Sequence, residues 1–439
     1  MMLEEFIQNP IGALIKAERY MNDGSPSGFS EKNTTSPETC PLSVIKSFAI
    51  KQLHFSDDIV IKEIGTPKAY PVEKNAMLIH PDMLTNKLLK GLEFTMGEDI
   101  IVAPMASGRT VLPLLTEPFF IKLAYLGCLG RMIRHMGADK ISSACEVTKQ
   151  LIRAVETGKT NNKFAFLRED YGRIAYLPLS LDNVTENDKI PQSNIQHKLY
   201  EWGVIFREII PFPYTNKEEI LIPLFALFGH EHNPVTKEIF PEQDPPLIIQ
   251  LFNKQDEFTE IDEFLCQKVI FPLYDTYFDA LLLGGVELEA HAQNVLITID
   301  SEYNINRIVC RDLESAGRDA TLMDYLNITY DKVTPYKYNF LTEKEEGQKY
   351  PKWQITHTFM FDFKLGEYVT TPLLNQCKLC FPHLDIEKIC SEIREYNKKY
   401  IQRLPENFFP CDWCSYDNRN FEQEGIRREY RWHEPPKYR

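Results

Sequence analysis

The sequence has no apolar run long enough to cross a membrane. Its longest stretches, Ile220 to Phe228 and Ala280 to Val286, fall well short of the roughly 18 residues a spanning helix needs. A basic leader is missing too: the first residues carry Glu4 and Glu5, and no small-residue cleavage site follows an apolar segment. The expected location is the cytoplasm, with no membrane partner. Positive charge is in deficit, since 49 Lys and Arg against 63 Asp and Glu leave a formal charge of −14. Affinity for nucleic acid comes from counterion release at a basic surface, so the charge argues against a general nucleic-acid binder. An anionic substrate must then be met by a local basic pocket. There is no internal repeat and no G-x-G-x-x-G loop. Of the ten cysteines, Cys40, Cys128, Cys145, Cys266, Cys310 and Cys390 stand alone, a pattern that suits reduced thiols in a cytosolic core.

With 439 residues and 43% hydrophobic content, the chain can bury a core spread over two or three lobes. After an N-terminal helix, residues 22 to 40 are rich in Gly, Ser, Pro, Thr and Asn and read as a flexible linker. Strand-like runs follow at Ile50 to Phe55, Ile59 to Ile64, Ala76 to Ile79, Asp99 to Pro104 and Phe119 to Leu126. A capping-box pattern, Ser143-x-x-Glu146, predicts a helix from about Ser143 that Gly158 stops. Phe164 to Leu167 and Arg173 to Leu177 read as a hairpin around Asp170, Tyr171 and Gly172. The polar stretch Leu181 to Gln196 marks a lobe boundary. Beyond it, Ile261 to Leu283 predicts a mostly buried helix interrupted or kinked at Pro272, Val295 to Ile299 and Arg307 to Cys310 a second hairpin, and Ile386 to Ile401 a further helix. Strands and helices without regular alternation indicate an α+β fold. The divisions are 1–40 (helix and linker), 41–190 (a β-rich lobe) and 191–439 (a helical and β lobe).

Two segments carry chemistry. Glu289-Ala290-His291-Ala292-Gln293-Asn294 leads into the second hairpin, which emerges at Arg311-Asp312, so Asn294 and Asp312 can approach each other. An amide oxygen and a carboxylate are the hard ligands that Mg²⁺ accepts while keeping positions for phosphates, and protein kinases use the same Asn, strand, hairpin and Asp logic. The kinase's catalytic Asp is missing, since His291 and Gln293 stand where its His-Arg-Asp would be. The bland alternative is a polar helix end meeting a strand. Upstream, Ser107-Gly108-Arg109-Thr110 follows a predicted strand, and Lys122, Arg131, Arg134 and His135 come after it. A guanidinium fork with flanking hydroxyls suits a carboxylate or phosphate, although each cation taken alone is more often a solvated surface charge.

In this order and spacing the chain resembles the siderophore synthetases that work independently of nonribosomal peptide synthetases, typified by the aerobactin synthases. The matching elements are Ser107-Gly108-Arg109-Thr110, Lys122 with Arg134 twelve positions later, His291-Ala292-Gln293-Asn294 and Arg311-Asp312, so the resemblance covers about residues 70 to 320. It implies a multi-lobed cradle of mixed and antiparallel sheets flanked by helices, with an ATP site between lobes and nucleotide contacts in the β-rich lobe. It further implies ATP contacts at Ser107, Arg109, Thr110, Lys122, Arg134 and Asn294, magnesium at Asp312, Asn294 and Glu289, and a substrate carboxylate facing the catalytic Arg109 and His291. The implied reaction activates a carboxylate of citrate or a related acid as an acyl-adenylate, which an amine, hydroxylamine or alcohol captures. A homodimer is compatible with it. Family members usually carry a further N-terminal region with a His-Pro-x-His-Pro-like motif, and nothing before residue 70 matches that; His80-Pro81 resembles a different His-Pro of the family. Lys364 and Lys378 are candidates for its C-terminal basic residues. Two function classes stay open, a ligase and an accessory homologue that binds nucleotide or carboxylate without turnover, with a kinase-like phosphotransferase third.

Cys377-x-x-Cys380 and Cys411-x-x-Cys414 form two knuckles that can close a tetrahedral zinc site, with two ordinary thiol pairs as the alternative. Gly229-His230-Glu231-His232-Asn233 suggests metal less strongly, because closely spaced histidines in a polar loop usually mark a turn.

Overall fold

Between residues 48 and 207 the short β-rich runs pair into one antiparallel sheet of nine strands. These are β1 (Phe48–Phe55), β2 (Val60–Gly65), β3 (Met77–Ile79), β4 (Phe94–Met96), β5 (Ile100–Pro104), β6 (Thr110–Pro113), β7 (Phe120–Leu123), β11 (Tyr171–Pro178) and β12 (Leu199–Arg207). Their order is β2-β11-β12-β7-β6-β5-β1-β3, with β4 also on β1. The pair β8 (Tyr125–Leu129) and β9 (Met132–Arg134) forms a separate ribbon beside it. The computed structural model describes residues 1–24, 35–129, 132–178, 198–241, 244–331, 356–406, 408–410, 414–415, 418–423, 426–430 and 433–439. β12 lies beyond position 190 yet sits between β11 and β7, so residues from both sides of that position build this sheet.

The second sheet has the order β10-β16-β15-β13, from β10 (Phe164–Phe166), β13 (Ile220–Pro223), β15 (Val295–Ile299) and β16 (Ile305–Cys310). The expected hairpin of β15 and β16 is present, with Val295 opposite Cys310. The expected hairpin at 164–177 is not. β10 runs parallel to β16 in the second sheet, whereas β11 joins β2 and β12 in the first. Alternation of apolar residues predicts a strand but not its partner, and here both flanking strands find long-range partners. Residues 167 to 170 therefore cross from one sheet to the other. Leu112 and Phe120 of the first sheet share a buried cluster with Leu221, Leu296 and Val309 of the second and with Leu14.

Three helices bear on the site. α1 (Glu4–Gln8) and α2 (Pro10–Tyr20) pack on β13, and α2 also reaches β5. α3 (Ala138–Glu156) lies against β2, β11 and β12 and meets the helix Phe271–Gly284. It starts five residues before Ser143, after Gly137. Ser143 and Glu146 stand inside it, and both bond Arg318. The capping-box pattern thus marks a tertiary contact. Gly158, at φ +67°, follows its end as expected. The predicted helix from Ile261 is interrupted at Leu265–Ile270 by a π-helical stretch just before Pro272, which accommodates the missing N–H of proline. The helix Ile386–Ile401 is found as expected.

Part of the predicted linker is tied down. The Ser36 N–H and hydroxyl donate to Asp82 at 2.9 and 2.7 Å, and Thr39 Oγ1 donates to it at 3.1 Å. Residues 25–34 lie outside the described residues. Among the described residues, no helix is long and apolar enough to cross a membrane.

His80 is fully buried against Phe48 and Tyr125, and its Nδ1 accepts the Asp82 N–H at 3.3 Å. Burial lowers its pKa from 6.5 to about 4, against the pull of Asp82. The unfolded chain therefore takes up this proton first as pH falls. The contribution of His80 is flat above pH 6.5 and turns against the folded state between pH 6.5 and 4, by about 1 kcal/mol per pH unit. His291 carries the same shift. His80→Asn should make urea midpoints fall less steeply with acid across this window than in the wild type, where Asp362, whose carboxyl burial raises to about 6, works in the opposite direction; an unchanged slope would contradict the assignment.

Candidate functional site

The turn between β5 and β6 is built by its own polar groups. Gly108 adopts φ +73° and donates to Met105 O at 2.9 Å, while Ser107 Oγ donates to Thr110 Oγ1 at 2.8 Å and accepts the Thr110 N–H at 3.0 Å. The two hydroxyls therefore brace the turn that presents Arg109. Thr110 lies opposite Lys122 in the β6–β7 register. Arg207 ends β12, opposite Phe120.

These cations converge on the loop after β16. Lys122 pairs with Asp312 and, at 2.9 Å, with Glu314 Oε1, which also receives Arg109 at 3.1 Å. Arg207 binds Asp312 Oδ1 at 2.6 Å and Glu169 Oε1 at 2.5 Å. Glu169 is fully buried, and its oxygens also accept the N–H groups of Asp312 and Leu313 at 2.8 and 3.1 Å. Asp312 adopts φ +70°, a left-handed conformation uncommon outside glycine, which aims two successive N–H groups at one acceptor. Burial pushes the Asp312 acid up, but Lys122 and Arg207 outweigh it and hold the acid well below the usual carboxylate range. Burial pushes the Glu169 acid up, and the Arg207 guanidinium opposes it.

The second motif forms the facing wall. The Asn294 N–H bonds His291 O at 2.8 Å, its Nδ2 donates to Glu289 O at 3.1 Å, and its carbonyl accepts the Arg311 N–H at 2.9 Å. Asn294 and Asp312 thus share one end of the hairpin. Glu289 pairs with Lys364 at 2.6 Å, and His291 Nε2 lies 3.9 Å from the same oxygen. Burial pushes the Glu289 acid up, and Lys364 outweighs it and brings it below its ordinary value. Burial lowers His291 to about 4, so the imidazole is neutral at pH 7, and Nδ1 accepts the Gln293 N–H at 3.3 Å.

The structure brings Arg109, Lys122 and Asp312 into direct contact and sets Glu289, His291 and Asn294 beside them. Arg134, on β9, has no ion-pair partner among the described residues. Burial and the neighbouring Arg109 guanidinium lower its pKa, while Asp312, Glu314 and Glu289 act in the opposite direction. Lys364 belongs to the site, whereas Lys378 donates to Leu384 O elsewhere. Arg131 and Cys411 lie outside the described residues, as does the Cys414 side chain. Cys377 is fully buried and Cys380 exposed. Among the described residues no group of three His, Cys, Asp or Glu is arranged to hold a metal. For magnesium, Asp312 Oδ2 and Asn294 Oδ1 are oxygens that accept no hydrogen bond among the described residues. They fit an ion that arrives with phosphate oxygens and water, because two protein ligands suffice for Mg²⁺ in that case. Glu289 is engaged by Lys364.

Four residues of the cluster escape sequence reasoning: Glu169, Arg207, Glu314 and Lys140. Lys140 donates to His135 O at 2.9 Å, and its lowered pKa comes from burial first, then from the competing fields of Glu314, Arg109 and Lys122. The one local signal was Glu314, two residues after Asp312.

No family model and no curated protein sequence matches the chain. Solved structures do. The petrobactin biosynthesis protein AsbB from Bacillus anthracis superposes with a TM-score of 0.66 at 14% identity, over 97% of this chain and 75% of that one. The ATP-bound aerobactin synthetase IucA from Klebsiella pneumoniae gives 0.59 at 11% identity, over 90% and 72%. Aerobactin synthetase IucC from the same organism gives 0.55 at 12% identity, over 90% and 70%. The fold is that of the siderophore synthetases. It is the α+β cradle that the resemblance implied.

The buried network predicts an asymmetry in stability. Glu169→Gln leaves two main-chain N–H groups without a charged acceptor and Arg207 with Asp312 as its one remaining carboxylate, and should lower unfolding free energy by roughly 3–5 kcal/mol. The exposed pair Arg153–Asp331, at 2.8 Å, should cost less than about 1 kcal/mol when Asp331→Ala breaks it. Equal losses in urea titrations would contradict the role assigned to Glu169.

Proposed function

We propose that the protein is an ATP-dependent ligase of the siderophore-synthetase kind, which activates a carboxylate as an acyl-adenylate and passes the acyl group to an amine, hydroxylamine or alcohol. The observation that carries this reading is the local excess of cations, Arg109, Lys122, Arg134, Lys140 and Arg207 against Glu169, Asp312 and Glu314, beside the open oxygens of Asn294 and Asp312. An excess of that sign suits a triphosphate and a carboxylate together. The siderophore-synthetase fold supports the same reaction class.

In this reading a carboxylate oxygen attacks the α-phosphorus of ATP, the bond to the bridging oxygen breaks, and pyrophosphate leaves. Two anions must meet for that step, and Arg109, Lys122 and Arg134 offset their repulsion. Arg134 lacks an ion pair among the described residues, so its guanidinium is available to a ligand anion. Magnesium, held by Asp312 and Asn294, would supply charge stabilisation for the phosphates. Neutral His291, with its proton on Nε2, can donate to a substrate carboxylate. The amine then attacks the acyl carbon, and AMP departs with the oxygen that came from the acid. No enzyme nucleophile is needed. Kinase-like transfer of the γ-phosphate is disfavoured because no carboxylate stands at the kinase base position, where His291 and Gln293 are found.

Incubation with ATP, magnesium, a panel of di- and tricarboxylates and hydroxylamine should release pyrophosphate and form a hydroxamate, with Asp312→Asn losing most of the activity. Binding of magnesium-ATP, measured by calorimetry, should weaken about tenfold or more in Arg134→Ala, the worth of one charge-assisted hydrogen bond. ADP and free phosphate as products would favour the phosphotransferase. Nucleotide binding with neither product across the panel would favour the accessory homologue.

A further inference from the structure

The residues before the first strand, which the sequence presents only as a helix and linker, reach into the cleft through one side chain. Glu18 of α2 is 1% exposed. One of its oxygens accepts the Ala106 N–H at 3.2 Å, in the turn that carries Ser107, Arg109 and Thr110. The other lies 2.5 Å from Arg311 Nη1. Arg311 in turn donates through Nε to Gln293 O at 2.8 Å, within the His-x-Gln-Asn segment. A chain of contacts therefore runs from Ala106 through Glu18 and Arg311 to Gln293. It joins the Ser-x-Arg-Thr turn of the first sheet to the His-x-Gln-Asn segment and the Arg-Asp loop, which flank one hairpin of the second sheet more than 180 positions later in sequence.

We infer that Glu18 is a positioning residue for the nucleotide site, an internal strut that sets the Arg109 turn of the first sheet against the Asn294–Asp312 end of the second. The inference rests on the proposed function for its nucleotide readout. The physical case has two parts. A carboxylate has two oxygens, so one side chain can hold two loops at once, one by accepting the Ala106 N–H and the other by a buried ion pair with Arg311. Its helix is also held independently of the cleft. Arg19, on the adjacent position, donates to the carbonyls of Pro41, Ser43, Ile45 and Lys46 at 2.7 to 3.0 Å. Asn22 adds a second tie from the same segment to the same turn, through Nδ2 to Ala106 O at 3.1 Å. Arg19 anchors the helix without touching any of the three motifs. Glu18 touches two of them and reaches the third through Arg311.

That difference makes the test. Glu18→Gln keeps an acceptor for Ala106 but removes the charge opposite Arg311, whereas Arg19→Met removes only the anchor. Both variants should have lower urea midpoints. With both proteins folded, well below their midpoints, calorimetry should show magnesium-ATP binding weakened about tenfold or more in Glu18→Gln and unchanged within about twofold in Arg19→Met, as expected for a group that orients direct ligands. Amide exchange read by mass spectrometry should quicken in peptides covering residues 105–110 and 289–294 for Glu18→Gln and not for Arg19→Met. Unchanged nucleotide affinity in folded Glu18→Gln, or an equal loss in Arg19→Met, would overturn the strut. If the wild-type protein binds no nucleotide, the proposed function fails, and the exchange comparison still decides the strut by itself: selective quickening supports it, and equal exchange in the two variants overturns it.

Discussion

Two successive main-chain N–H groups, those of Asp312 and Leu313, end on the single carboxylate of Glu169, a side chain with no exposed surface. The geometry of the cleft depends on that arrangement. Glu169 lies where the chain crosses from β10 of one sheet to β11 of the other, so its position is set by both sheets at once. With Glu169 in place, Arg207 has an acceptor and can reach Asp312, and Lys122 completes the clamp on the same carboxylate. Breaking one partner of a buried pair costs far more than the intact pair contributes, which makes this network an all-or-none device for holding Asp312 in a left-handed conformation.

Charge is distributed in an uneven way that follows from the same network. The whole chain carries −14, yet Arg109, Lys122, Arg134, Lys140 and Arg207 are gathered around Glu169, Asp312 and Glu314. Local cationic excess inside an acidic protein draws an anion to one place instead of to the general surface.

Much of this was legible in the sequence, and the exceptions share a physical cause. The spacing of Asn294 and Asp312 around a hairpin put them together correctly, since a hairpin's register is a local property. The Ile386–Ile401 helix was readable from its apolar period for the same reason. Partner choice was not. Phe164–Phe166 reads as a strand, but nothing nearby says that it pairs with β16, some 140 positions away. Ser143 and Glu146 matched a capping pattern, while their true partner, Arg318, lies across the fold. Glu169, Arg207 and Glu18 were silent for the same reason: a buried charge is defined by what closes over it, and that is a long-range fact.

The central claim is that the cleft brings a carboxylate to the α-phosphorus of ATP. The most direct measurement is to follow the acid's oxygen. With a carboxylate substrate labelled with heavy oxygen at the acid, and with an acceptor amine present, the account predicts one labelled oxygen in AMP and none in free phosphate. Label in inorganic phosphate, released together with ADP, would place the attack on the γ-phosphorus and contradict the account.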